Sequence, residues 1–157
     1  MIYIHYGSEA FDPDAFKPIR NLPSLNKPTG GLWACPIDAE ASWKDFAELM
    51  QLEGYGFEKF DPSKHFCFRL TPSAKVAHIH SEEDMSLLEW RPTETSADFF
   101  VPDFEKMLLD GWDAIELHYT ESGAGQTDLR ESSISYRFDS WDADSILVLN
   151  PKVLFPV

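Results

Sequence analysis

Basic residues are scarce in this chain. Thirteen lysines and arginines stand against 27 aspartates and glutamates, a formal net charge of −14 over 157 residues. Acidity of that degree repels phosphate backbones and anionic bilayers, so nucleic acid is disfavoured as a partner, although a small basic patch is compatible with an acidic whole. Cysteine is scarcer still: Cys35 and Cys67 make no disulfide framework and suit a reducing compartment, with a single pairing left open. No apolar run approaches the ~20 residues that span a bilayer, and no membrane partner is expected. The opening MIYIHYGSEAF lacks the basic flank and long apolar core of a secretory signal, so the expected location is the cytoplasm. The length matches one domain over residues 1–157, long enough to bury roughly 70% of its unfolded surface without a metal or disulfide to hold it.

Hydrophobic periodicity then places the elements. Ile2 and Ile4 alternate with Tyr3, His5 and Gly7, which predicts a strand with one buried face and a second face, carrying His5 and Gly7, that can present chemistry. Prolines 13, 18, 23 and 28 interrupt any regular element from Asp12 to Pro28 and predict a long loop, a class of segment that is commonly functional or mobile. Leu32 to Cys35 form a strand stopped by Pro36; Ser42 caps a helix with Trp43, Phe46, Leu49 and Met50 on one stripe, ending at Gly54. Lys64–Leu70 and Ala74–His80 read as strands, and Ser81 caps a short helix opened by Glu82, Glu83 and Asp84. Asp103–Asp110 is a helix stopped by Gly111. Trp112–Tyr119 is a strand, ESGAGQTD a polar loop, Ser133–Phe138 a strand, and the apolar run Ile146–Leu149 a central strand. Strands at both ends with helices between them give an α+β domain without internal repeats.

Several side chains invite a chemical reading. His78 and His80 share a strand face and could bind a metal with Glu82 or Glu83, but the chain offers no tight ligand set; an exposed strand end is the plainer reading, and no metal is expected. A nucleophilic pairing of Cys35 or Cys67 with a histidine rests on inventory alone. ESGAGQ lacks the lysine and the following helix of a phosphate loop and reads as a turn.

Three separated pieces, YIHYGS, GGLWACP, and GWDAIEL with DADSILVLNP, together resemble the ADP-ribosyltransferase superfamily, in a small toxin-like or poly(ADP-ribose) polymerase-like form with a His/aromatic/Asp pattern. The resemblance spans both ends of the chain and most of the predicted sheet. It implies split antiparallel sheets flanked by helices, and NAD as substrate rather than resident cofactor. By the same resemblance His5 holds a ribose hydroxyl, Gly7 pairs through its backbone with the nicotinamide carboxamide, Ser8 supports that region, and Trp33 stands where tyrosine is usual and stacks on nicotinamide. Asp144 takes the position of the catalytic glutamate of the best-known members, one methylene shorter, and Tyr6 is an extra residue between histidine and glycine. Glu116, on a predicted strand, competes with Asp144 as catalytic acid. Lys17, Arg20 and Lys27, cations in the proline-rich loop, are candidates for the pyrophosphate.

The expected function is therefore ADP-ribosyl transfer from NAD to an unidentified macromolecular acceptor, or NAD hydrolysis with water as acceptor. Two alternatives stand beside it. One is an acidic interaction protein without chemistry that mimics nucleic acid or docks on a basic protein. The other is recognition of a nucleotide or ADP-ribose derivative without cleavage.

Overall fold

The computed structural model describes residues 1–81, 83–118, 129–131, 134–136 and 141–157. Strands β1 (Tyr3–Tyr6), β2 (Leu32–Pro36), β3 (His65–Leu70), β4 (Val76–Ile79), β7 (Ala114–Leu117), β10 (Ser145–Val148) and β11 (Leu154–Pro156) form one sheet in the order β11-β3-β1-β2-β10-β7-β4. A second sheet runs β5-β6-β9-β8, from Trp90–Pro92, Phe99–Pro102, Ile134–Tyr136 and Leu129–Glu131 respectively. Helices α1 (Trp43–Leu52) and α2 (Phe104–Leu109) complete an α+β chain. The sheets are mixed rather than antiparallel throughout: β4 runs parallel to β7, and β6 parallel to β9. The loop at 121–128 lies outside the described residues, as do Glu82, Tyr119, Ser133, Arg137, Phe138 and Asp139.

Register assigns each side chain to a face, because residues directly opposite across a ladder project to the same side. Ile146 stands opposite Ala34 and Glu116, and Glu116 opposite His78. Leu147 stands opposite Trp33 and Ile115, and Ile115 opposite Ala77. The two sets feed two cores. Ala34 and Ile146 pack with Tyr3, Phe66, Phe68 and Val148 on one side. Ala77, Ile115 and Leu147 pack with Phe104, Met107 and Trp141 on the other.

β10 is buried at every position, as the unbroken apolar run predicts for a strand between two neighbours. β1 departs from its predicted one-sided burial. Tyr3 and Ile4 are both buried, because β1 lies between β3 and β2 and each face meets a core. The short strands β5, β6, β8 and β11 carry too little periodicity to be read from sequence.

The proline-rich segment is not loose. Arg20 and Thr29 exchange backbone hydrogen bonds, Ile19 is buried, and Asn21 accepts from the Phe104 N–H at the start of α2 while donating to Asp103. Gly30 makes the return possible: at φ +75° a Cβ there would stand 2.1 Å from the Pro18 carbonyl oxygen. Ser42 caps α1 by accepting from the Asp45 N–H, as predicted, and the helix ends at Leu52 before Gly54. Only Ala47 is fully buried on α1, and the predicted stripe residue Leu49 is half exposed. At the short helix predicted after Ser81, the capping runs backwards: Asp84 accepts from the His80 and Ser81 N–H groups and opens a 3-10 turn at Glu83–Leu87.

Candidate functional site

β1 and β2 pair only at Tyr3 with Pro36 and Ile4 with Cys35. Beyond that point β1 continues along β3 as far as Tyr6, while β2 stays with β10. The ladder therefore opens at the level of His5 and Trp33. His5 bridges the opening: its Nδ1 lies 2.7 Å from the Trp33 carbonyl oxygen, a side-chain bond in place of the missing ladder bond. The carbonyl can only accept, so Nδ1 carries the proton and Nε2 keeps its lone pair. Burial lowers the basicity of the imidazole, against a smaller opposing effect of the Trp33 carbonyl, so the ring is neutral near pH 7. A Cβ on Gly7 would stand 3.7 Å from Nε2; the glycine leaves that nitrogen uncrowded at a backbone φ of +124°.

Two hollows meet at this opening, and His5 and Trp33 line both. One, of about 350 Å³, is walled by Tyr6, Cys35, Trp43, Trp141, Asp142 and Lys27. The other, of about 540 Å³, lies under the proline-rich segment and is walled by Ser8, Phe11, Phe16, Lys17, Leu32 and Phe66. Both volumes suit small-molecule sites. The first is mostly apolar and rich in tryptophan. The Trp33 indole meets Trp141 edge to face at 4.6 Å, and Trp141 is anchored by its indole N–H donating to the Asn26 carbonyl. At its rim Lys27 Nζ pairs with Asp142 Oδ2 at 3.2 Å, both side chains 37% exposed.

The predicted site residues divide around this opening. His5, Trp33, Ser8, Lys17 and Lys27 line it. Gly7 adjoins it, but its N–H donates to the Lys64 carbonyl and is engaged, which leaves only its carbonyl for a ligand. Asp144 stands behind the wall: its N–H donates to the Ala41 carbonyl, and its Oδ2 accepts from the Ala41 N–H at 3.4 Å. The acid at the wall of the first hollow is Asp142, two residues before it. Arg20 reaches away from both hollows to Glu105, at 2.9 Å. Cys35 lies in the wall, but burial pushes its thiol up, away from the thiolate a nucleophile requires. Both cysteines are free.

Glu116 is in a different place. It is buried on the face opposite Trp33, where Oε2 accepts from the Tyr3 hydroxyl at 3.1 Å and meets His78 Nδ1 at 2.8 Å. Its Oε1 is 3.5 Å from His118 Nε2. Burial, then the charge of Glu116, raises the Tyr3 phenol and keeps it a donor. β7 brings His118 beside His78 and His80, stacked on His80 at 3.9 Å, a third imidazole that the sequence reading does not place there. A parallel pairing of β4 with β7 is what joins them, and no local pattern announces it. Comparison with family models, with curated proteins and with solved structures returned no match.

Proposed function

We propose that the opening between β1 and β2 binds NAD and that the protein transfers ADP-ribose from it, to an acceptor group or to water, on an ADP-ribosyltransferase-like arrangement of strands. The observation that carries this reading is His5 itself. It is a neutral imidazole fixed by a backbone carbonyl at the point where two strands part, with an accepting nitrogen turned toward an uncrowded glycine.

The residues suit the steps. A ribose hydroxyl donates to His5 Nε2, and the apolar hollow beside Trp33 and Trp141 takes the flat nicotinamide ring. Lys27 and Lys17, one at each hollow, meet the pyrophosphate. An anionic ligand that draws Lys27 off Asp142 frees that carboxylate to face the anomeric carbon. The bond from that carbon to the pyridinium nitrogen then breaks, its electron pair leaving with nicotinamide, which departs neutral. Asp142 stabilises the positive charge that develops on the ribose, and a preorganised group of this kind typically supplies ~3–4 kcal/mol. The acceptor's lone pair forms the new bond and its proton passes to solvent.

Incubation with NAD, with water as the default acceptor, tests the reading through release of nicotinamide measured by chromatography. Release is expected, together with a loss on His5→Ala and on Asp142→Asn. Heat of binding without release would reduce the site to one for nucleotide recognition, and neither heat nor release at millimolar NAD would overturn the reading.

A further inference from the structure

On the face of the sheet opposite Trp33, at the carboxyl ends of the parallel strands β4 and β7, His78, His80 and His118 bring one ligating atom each to within 4.8 Å of one another. We propose that these three histidines bind a single divalent cation of the zinc class, with Glu116 as the buried carboxylate that orients two of them. The site is separate from the opening at His5 and needs no assumption about NAD.

Glu116 is 1% exposed, and burying a charge is costly unless an opposite charge and hydrogen bonds accompany it. Among the described residues its ion-pair partners are His78 and His118, which balance it only when protonated. A dication held by those same imidazoles supplies the missing charge with the rings neutral. Metal-bound histidines characteristically donate their second ring N–H to a carboxylate, which fixes the tautomer and turns the other nitrogen to the metal. His78 has that arrangement: Nδ1 is 2.8 Å from Glu116 Oε2, so Nε2 is the nitrogen left for a metal.

Oε1 of Glu116 is buried and accepts no hydrogen bond among the described residues, while His118 Nε2 stands 3.5 Å from it. A small advance of the His118 ring would turn that approach into a second N–H···carboxylate bond and leave Nδ1 to the metal. Both oxygens of one buried carboxylate would then orient two of the three ligands, and Tyr3 would hold the carboxylate from behind.

The geometry needs a modest closure. Zinc–nitrogen bonds of about 2.0–2.1 Å in a tetrahedron place ligating nitrogens roughly 3.4 Å apart, against the 4.8 Å within which one ring nitrogen of each histidine lies. His80 must also turn out of its stack on His118, since parallel rings do not converge their lone pairs on one ion. His78 and His80 are exposed, so their rotations occur at the surface, while His118, 19% exposed, needs only its small advance toward Glu116. Three imidazoles select a borderline cation over magnesium or calcium, which take oxygen ligands. Three protein ligands leave one tetrahedral position for water or another donor.

Titration of chelator-treated full-length protein with zinc chloride at pH 7.5, followed by calorimetry, tests the site. One equivalent is expected to bind, and cobalt is expected to give the visible absorption of a four-coordinate ion. His80→Ala and His118→Ala should abolish the one-to-one transition, Glu116→Gln should weaken it by about 10–100-fold, and His65→Ala should leave it unchanged. His80 is exposed, so its variant folds whatever becomes of Glu116→Gln. Absence of zinc binding by the parent protein, or equal binding by parent, His80→Ala and His118→Ala, would overturn the proposal.

Discussion

His5 and His78 are the same residue type on two strands of one sheet, and their partners give them different chemistry. His5 spends Nδ1 on a backbone carbonyl and sits where burial lowers its basicity. It is left as a neutral acceptor, the form that takes a hydroxyl. His78 meets a buried carboxylate, beside two more imidazoles. That arrangement suits a proton or a metal ion. What the second nitrogen touches sets the tautomer, and the tautomer sets what each ring can do.

The sharpest way to break this comparison is to remove the wall that belongs to one side only. Trp141 is fully buried, lines the hollow at Trp33 and is hydrogen bonded to Asn26. Trp141→Ala should lower the unfolding free energy by ~3–5 kcal/mol in denaturant titrations, with loss of NAD turnover at temperatures where the variant stays folded. Next in size, Asp142→Asn should lower nicotinamide release by about 10²–10³-fold with little change in stability. Asp144→Asn should do the reverse, because its carboxylate ties the Ala41 loop to the start of β10. A loss of rate confined to Asp144→Asn, at unchanged stability, would return the catalytic role to Asp144.

Smaller effects separate the two cations. Lys27→Ala should raise the KM for NAD by about tenfold, the scale of one charge-assisted contact. Arg20→Ala should leave KM unchanged and shift stability by about 0–1 kcal/mol, since its pair with Glu105 is exposed. The smallest effect is in pH. Folding holds His5 below its ordinary pKa, so the unfolded chain takes up a proton first as pH falls. Stability that His5 contributes above about pH 6.5 is therefore lost progressively as pH drops toward its lowered folded value. His5→Gln should flatten that part of the acid limb in thermal melts recorded from pH 7.5 to 5.

The parts legible in the sequence are those with local signals. The cap at Ser42, the stop at Gly111 and the two-sided burial of β10 follow from capping, glycine and an apolar run. His5 and Trp33 were legible because an ordered pair of short motifs marked them. Asp142 was not, since Trp141 to Asp144 precede the strand and alternation does not extend to them; only the tertiary course of the chain decides which acid faces the hollow. His118 was hidden for a different reason. It joins His78 and His80 through a parallel pairing between segments 38 residues apart in register, His78 with Glu116. Long-range pairing of that kind leaves no periodic trace.

The central claim concerns position, so the most direct measurement is a crystal structure with NAD or nicotinamide bound. The nicotinamide ring is expected against Trp33 and Trp141, with a ribose hydroxyl within hydrogen-bond distance of His5 Nε2 and Asp142 facing the anomeric carbon. A nucleotide bound elsewhere, or one in the opening that leaves His5 Nε2 untouched, would contradict it.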